Sequence, residues 1–227
     1  MLYTDLEILY EDNHIIAVNK PAGVLVQPDK NGDDALENIL KEYIKHKYEK
    51  PGEVFLGVCH RIDRPVSGVV LFARTSKALV RMNEMFKDKE VKKTYWAVVQ
   101  EKPKALTGHL THWLKKNEQK NLSHAYDHEI TGSSKSELDY KWLKSIDNYH
   151  LLEVNPLTGR HHQIRLQLAK MGCFIKGDVK YGARRGNRDG SIHLHARKVE
   201  FIHPVKKEKV EITAPVPNEV VWKAFEM

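Results

Sequence analysis

Residues 60–74 constrain the fold most, because they place one carboxylate between two apolar runs. Residues 54–59 and 68–74 are rich in β-branched and apolar side chains, which predicts two strands joined by a short loop. Asp63 lies in that loop among three arginines, which are Arg61, Arg64 and Arg74. Nearby cations favour the charged form of an Asp, so Asp63 is a candidate nucleophile. The alternative is a turn residue paired with its arginine neighbours.

Further motifs follow in a fixed order along the chain. They are NKPAG at 19–23, HRIDRPVSG at 60–68, KTYWA at 93–97 and TGRHHQIR at 158–165, with closing motifs at 177–182 and 194–204. This series resembles that of the RluA-like pseudouridine synthases, with Ile62 for a Leu and Pro65-Val66 as departures. Gln167 stands where many relatives carry His. Several motifs in family order are a stronger signal than any one of them.

The resemblance implies an enzyme that isomerises a uridine already in RNA to pseudouridine. The base is detached from its ribose nitrogen bond, turned and rejoined through carbon, which requires no cofactor and no metal. The target nucleotide must be flipped out, because its reacting atoms are inaccessible in a stacked strand. The expected partner is ribosomal or transfer RNA, and the expected state is a monomer.

The resemblance also implies roles for individual residues. Asp63 would be the nucleophile, Tyr95 would stack on the flipped uracil, and Arg165 would pair with Asp63 and hold it ionised. Arg61 would enter the space left by the flipped base, a role suited to a planar guanidinium. Taken alone, Tyr95 is typical of a core aromatic and Arg165 of a helix surface. The other predicted substrate-binding residues are Arg64, Arg160, Arg184 and Arg185.

Composition favours a polyanionic partner. The 227 residues carry a net charge of +7, which makes a phosphate-rich ligand favourable without specifying a fold. Several arginines fall in a Gly-rich stretch after residue 176, where the backbone can approach phosphates closely. A solvated surface loop is the alternative there. The length suits one domain over residues 1–227.

Cysteine usage and the chain start favour a cytoplasmic protein. Cys59 and Cys173 form no disulfide framework and are expected in the core. The first residues show no apolar signal region, and no stretch of eighteen apolar residues occurs, so no membrane association is predicted. The sequence begins directly at the catalytic motifs, so target choice is expected to depend on the catalytic domain without a preceding S4-like domain.

Two other functions remain open on the residues alone. The thirteen histidines include the spaced pairs His109/His112 and His124/His128, which suggest a metal-dependent RNA hydrolase. No HEXXH motif occurs, and the pairs fall in segments without a helical pattern. The third possibility is a catalytically silent RNA-binding protein, against which the trio Asp63, Tyr95 and Arg165 argues.

The element pattern predicts an α+β protein with a mostly antiparallel sheet, because strands outnumber helices and rarely alternate with them. One helix is expected over 36–44 with Asp33 or Asp34 as its cap, and a second begins at Thr75 or Ser76. A third spans about 161–171 and ends at Gly172. Residues 109–134 are too polar to assign.

Overall fold

A computed structural model describes residues 1–29 and 35–226 of the chain. The chain packs as two compact units. Unit 1 comprises Met1–Lys93 and Ala196–Pro217, and unit 2 comprises Thr94–His195 and Asn218–Met227. The expectation of a single domain over 1–227 stays a prediction.

Strands dominate the structure. In chain order they are β1 (Glu7–Glu11), β2 (Ile15–Lys20), β3 (Gly57–Val58), β4 (Ser67–Ala73), β5 (Lys92–Val99), β6 (Thr107–Asn117), β7 (Leu122–Tyr126), β8 (Ser134–Ile146), β9 (Tyr149–Pro156), β10 (Leu194–Ile202) and β11 (Lys209–Thr213). The helices are α1 (Leu36–Lys47), α2 (Ser76–Lys87), α3 (Gln163–Lys170) and α4 (Val220–Glu226), with 3-10 turns at Tyr3–Asp5 and Val179–Tyr181. The predicted α+β class with a mostly antiparallel sheet is confirmed.

In unit 1, β4 is the central strand and is buried along its whole length. It pairs antiparallel with β2 from Ala73 opposite Ile15 to Gly68 opposite Lys20. Alternate side chains of the two strands form one core with the apolar side of α2, including Leu71 and Met82. Burying both faces explains why β4 is a continuous apolar run rather than an alternating one.

The helix ends follow local chemistry. The side chain of Thr75 accepts a hydrogen bond from the Ala78 amide, so the predicted cap of α2 is confirmed. Gly172 follows the last residues of α3 with φ of 82°, the left-handed conformation that glycine adopts without strain. The Asp33 and Asp34 cap prediction lies outside the described residues, and the described N-cap of α1 is Ala35.

Unit 2 is an antiparallel sheet in the order β5-β9-β8-β6-β7. The unassigned stretch 109–134 contains most of the β6–β7 hairpin, in which Lys115 lies opposite His124. Its buried side is sparse, with His112 and Leu114 alternating with exposed or half-buried neighbours, so the apolar signal in the sequence is weak. The α4 helix was not predicted.

The strand predicted over 54–59 is wrong in length. Only Gly57 and Val58 pair with β4, opposite Ala73 and Phe72. The residues before Gly57 have no strand partner along β4, so their β-branched character is not used in a ladder.

Among the described helices, none is long and apolar enough to cross a membrane.

Candidate active site

Asp63 lies in unit 1, on the loop that connects β3 to β4. The Asp63 carbonyl accepts a hydrogen bond of 3.0 Å from the Val66 amide, which closes a turn over Arg64 and Pro65. The Asp63 side chain is half-buried. Beyond the turn, Gly68 has φ of 116°, and a Cβ there would collide with the backbone of Ala196. A glycine is therefore required here, because it lets the start of β4 pack closely against the Ala196 backbone.

The NKPAG motif braces this loop. The Gly23 amide donates to the Arg64 carbonyl at 2.8 Å, and Arg64 Nε donates back to the Gly23 carbonyl at 2.9 Å. Two segments 41 residues apart are thus joined by reciprocal hydrogen bonds. Part of the Arg64 guanidinium therefore holds the loop, although Arg64 is exposed and was predicted to bind substrate.

Lys20 is a buried lysine near Asp63 that was not among the predicted site residues. Its side chain is fully buried, and its ammonium donates to the carbonyls of Pro21, Val24 and Arg64 at 2.9, 2.8 and 3.2 Å. Burial lowers the pKa of Lys20 from 10.5 to about 7, an effect opposed by attraction to Asp63. A lysine is almost never fully buried without such partners. The visible signal was a lysine that ends a largely apolar strand before Pro21.

The arginines close to Asp63 in the sequence contact different partners. Arg74 donates to Glu11 at 3.1 Å and to the Asp12 carbonyl, so it stabilises the β1 end of the unit. Arg61 is exposed and lies 3.5 Å from the side-chain oxygen of Gln27. Arg61 lies on the loop itself, and its contact with the substrate stays a prediction.

His60 is a neutral structural group. Its Nε2 accepts a hydrogen bond from the Leu71 amide at 3.1 Å, and its ring lies 5.0 Å from that of Phe86. Burial, together with the charge of Lys93, lowers the pKa of His60 to about 3. The motif histidine therefore fastens the loop to β4 and stays uncharged at neutral pH.

In unit 2, Tyr95 lies on β5 opposite Val154 of β9 and is half-buried.

The TGRHHQIR motif forms the turn from β9 into α3. Gln163 Oε1 accepts from the Thr158 hydroxyl at 2.7 Å and from the Arg160 amide at 3.0 Å. Gln163 Nε2 donates to the Glu137 carbonyl of β8, which fixes the turn on the sheet.

Arg165 and Asp178 form a buried bidentate ion pair. Arg165 Nε and one terminal nitrogen each donate at 2.7 Å to a different carboxylate oxygen of Asp178. The two side chains are 5% and 2% exposed, and the Tyr181 ring lies 5.1 Å from the guanidinium. Such geometry is the strongest form of an Arg–carboxylate contact. Asp178 was missed because it follows a glycine in a stretch that was interpreted as a loop.

The pairing of Arg165 with Asp63 stays a prediction, because the two residues belong to different units. Within unit 2 the structure brings together Arg165, Asp178 and Tyr181. Within unit 1 it brings together Lys20, Asp63 and Arg64.

His162 joins three segments at the start of α3. It has φ of 55°, and its Nδ1 lies 2.7 Å from the Tyr181 hydroxyl, which also accepts from the Ser123 amide at 3.1 Å. Burial and the positive charge of Arg165 lower the pKa of His162 to about 2. A neutral ring here links α3 to β7 and to the 3-10 turn without adding a further buried charge.

Gln167, the departure from the family pattern, is fully buried. Its Nε2 lies 3.1 Å from the Leu110 carbonyl, 3.1 Å from His112 Nδ1 and 3.2 Å from the Ser136 carbonyl. Its Oε1 has no hydrogen-bond partner among the described residues. Gln167 therefore ties α3 to β6 and β8.

The predicted substrate-binding residues Arg160, Arg184 and Arg185 are exposed in unit 2.

The histidine pairs do not assemble a metal site in the described parts of the chain, where no three His, Cys, Asp or Glu side chains are grouped to hold an ion. His109 instead lies 2.7 Å from Asp139 across the β6–β8 pair. His112 approaches Asp127 at 3.9 Å, and burial lowers the pKa of His112.

Comparison with known proteins finds one family repeatedly. The family model for RNA pseudouridylate synthases matches residues 14–170. The uncharacterised RNA pseudouridine synthase YhcT of Bacillus subtilis is 31% identical over 96% of this chain and 71% of its own length. The tRNA pseudouridine synthase C of Haemophilus influenzae is 33% identical over 94% of both chains. The ribosomal large subunit pseudouridine synthase D of Zymomonas mobilis is 31% identical over 95% and 70%.

A solved structure shows the same fold. Human RNA pseudouridylate synthase domain containing 4 superposes with a TM-score of 0.79 at 23% identity, covering 96% of this chain and 91% of that one. The second human protein of this series, domain containing 1, gives a TM-score of 0.75 at 22% identity over 99% and 89%. The resemblance inferred from the motifs and the predicted fold are both confirmed.

Proposed function

The chain belongs to the RNA pseudouridylate synthase family, and we propose that it isomerises a uridine of ribosomal or transfer RNA with Asp63 as the nucleophile. Conversion of uridine to pseudouridine is the activity of the family. The observation that supports the residue assignment is the Asp63 loop, whose backbone is braced by Lys20 and Gly23 while the carboxylate is half-buried.

The reaction rearranges one nucleotide and exchanges no atoms with a co-reactant except a proton. The bond from the ribose to the uracil nitrogen breaks, the base turns, and a bond from the ribose to a ring carbon forms. The proton on that carbon leaves, and the released nitrogen takes up a proton. An anionic carboxylate beside the sugar and base is the group this sequence of steps needs. We therefore propose that no metal and no organic cofactor takes part.

Tyr95 and Arg61 have proposed roles on the flipped nucleotide. Tyr95 presents a half-buried ring, which suits stacking on uracil, and a phenol keeps its proton at neutral pH. Arg61 is exposed on the loop that carries Asp63 and would fill the space left by the base. We further propose that Arg165, held in orientation by Asp178, presents its guanidinium to Asp63.

The RNA class is proposed from relatives and charge. The relatives include synthases named for large-subunit ribosomal RNA and for transfer RNA, and the net charge of +7 suits either polyanion. We also propose that the protein is a monomer and acts in the cytoplasm.

Pseudouridine mapping tests the proposal directly. Ribosomal and transfer RNA from cells with and without the gene would be compared by a chemical method that marks each pseudouridine. We expect one site or a small set of sites to disappear and to return with the wild-type gene but not with Asp63→Asn. Identical maps in both strains, together with no turnover by the purified protein on unmodified RNA, would refute it.

A further inference from the structure

Unit 2 carries a group of cationic side chains with no acidic partner among the described residues. We call this group the basic edge: Lys120, Lys180, Arg184, Arg185 and Arg188. Some lysines elsewhere form ion pairs. Lys47, for example, lies 2.7 Å from Glu11, and Lys206 lies 3.0 Å from Asp12. Exposed cations without a carboxylate nearby are available for an external anion.

The basic edge is held together by contacts between the β6–β7 turn and the Val179–Tyr181 turn. Lys180 Nζ donates at 2.9 Å to the Asn121 carbonyl in the β6–β7 turn. The Tyr181 hydroxyl accepts from the Ser123 amide at 3.1 Å and bonds to His162. The hairpin lysine Lys120 and the segment that leads to the arginines therefore share one hydrogen-bonded frame.

The arginine loop is fastened from inside by Asn187. Its Oδ1 accepts from Lys176 Nζ at 2.8 Å, and its Nδ2 donates to the Ser191 carbonyl at 2.9 Å. The same nitrogen lies 3.0 Å from His193 Nδ1, and the His193 ring stacks on Trp222. Because the anchor points inward and the arginines are exposed, the loop presents its charges in a fixed arrangement.

The carboxylates nearest in sequence are already bonded. Glu118 lies 3.3 Å from Lys116, Asp178 pairs with Arg165 at 2.7 Å, and Asp189 accepts from the Ser191 amide and hydroxyl at 3.0 and 2.7 Å. None of the three is an ion-pair partner of the five cations. The basic edge thus combines an excess of positive charge with preformed geometry, which reduces the entropic cost of binding.

We propose that the basic edge binds phosphates of the RNA strand that flanks the target uridine and sets its register on the enzyme. This inference rests on the proposed function, since RNA is the substrate there. Phosphate contacts position a strand without reading its sequence. The basic edge therefore contributes to affinity for the RNA, and the chemical step proceeds elsewhere.

The salt dependence of binding tests this proposal. Fluorescence anisotropy with a labelled single-stranded RNA of mixed sequence would give Kd over a salt series for the full-length protein. The triple variant Arg184→Gln, Arg185→Gln and Arg188→Gln should reduce the log-log slope by about 0.7 for each phosphate that is no longer neutralised, or about 2 in all.

A matched control removes the same charge from cations that already have partners. Lys41, Lys209 and Lys223 lie 2.7, 3.3 and 3.2 Å from Glu37, Glu200 and Glu226. Changing these three lysines to Gln should leave the slope nearly unchanged. Equal flattening in the two triple variants would show a general charge effect, and no flattening in the arginine variant would place the loop off the RNA; either result overturns the proposal.

The variant Asn187→Ala separates geometry from charge. All cations remain, so the salt slope should be retained, while the KM for RNA should rise several-fold with kcat unchanged. Unchanged KM would overturn the claim of a preformed loop. If Asn187→Ala fails to fold, the arginine triple variant still tests whether the charges of the basic edge bind RNA. Binding is read without turnover, so a wild-type protein that binds through the basic edge but forms no pseudouridine would contradict only the proposed function.

Discussion

The Asp63 loop and the Arg165–Asp178 pair are two charged features that the fold holds in opposite ways. Asp63 keeps a half-buried carboxylate, and its surroundings in unit 1 are fixed through backbone groups and Lys20. Asp178 is 2% exposed, and both of its oxygens bind Arg165 at 2.7 Å. One carboxylate sits on a braced loop, whereas the other is committed to orienting a guanidinium.

This difference fits the proposed roles of the two carboxylates. A nucleophile must be reachable, and the loop around Asp63 is braced while the Asp63 side chain stays half-buried. A buried pair gains little net stability, but removal of one partner leaves an uncompensated charge. We therefore expect substitutions at Asp63 to change the rate and substitutions at Asp178 to change stability as well.

The largest effect is expected for Asp63→Asn. Pseudouridine formation should fall by at least about three orders of magnitude, as when other enzymes lose their nucleophile, because an amide cannot act as one. The free energy of unfolding should change little. Single-turnover assays and denaturant titrations of the same preparation measure both. Turnover close to wild type would remove Asp63 from the nucleophile role.

The second effect is expected for Asp178→Asn. Removing the Asp178 carboxylate from the buried Arg165 guanidinium should lower the free energy of unfolding by about 3–5 kcal/mol. Activity should fall too, since the arginine loses its orientation. Urea denaturation and turnover at a temperature where the variant is folded measure the two effects.

A double variant serves as the control for that pair. Arg165→Met with Asp178→Leu removes both charges and should recover much of the missing stability without recovering activity. Recovery of both would make the pair purely structural. A single Asp178→Asn variant as stable as wild type would contradict the distinction between the two carboxylates.

The last effect is a pH dependence of stability and concerns Lys20. Its pKa is about 7 in the folded state and 10.5 ordinarily, so between these values the unfolded chain binds more protons and stability rises with pH. Lys20→Met lacks this contribution. The stability difference between wild type and variant should therefore grow from pH 7 to about 10.5. Parallel stability profiles of the two proteins would argue against a shifted Lys20.

Much of the fold followed from local patterns. The Thr75 cap and the Gly172 terminus each depend on residues close together in sequence, and each prediction is confirmed. The β6–β7 hairpin was not predicted, because its polar strands gain their burial from α3, which comes later in the chain. The length of β3 was wrong for a similar reason, since its partner determines it.

The site was predictable where a motif carries it and hidden where a distant partner does. Asp63, Tyr95 and Arg165 were selected by motif, and their roles stay predictions. Lys20 and Asp178 lay inside recognised motifs, but their tasks depend on the Arg64 carbonyl and on Arg165, which no local pattern indicates.

The brace between Lys20 and Arg64 has a consequence for folding order. Its two residues are 44 apart in the chain, and the segment between them includes α1. Closing a loop costs entropy before the contact repays it, so we expect the brace to form together with the β2–β4 pairing that flanks it. A nascent or partly unfolded chain contains Asp63 but no braced loop. The proposed role of Asp63 as nucleophile therefore requires that the first unit has formed its sheet.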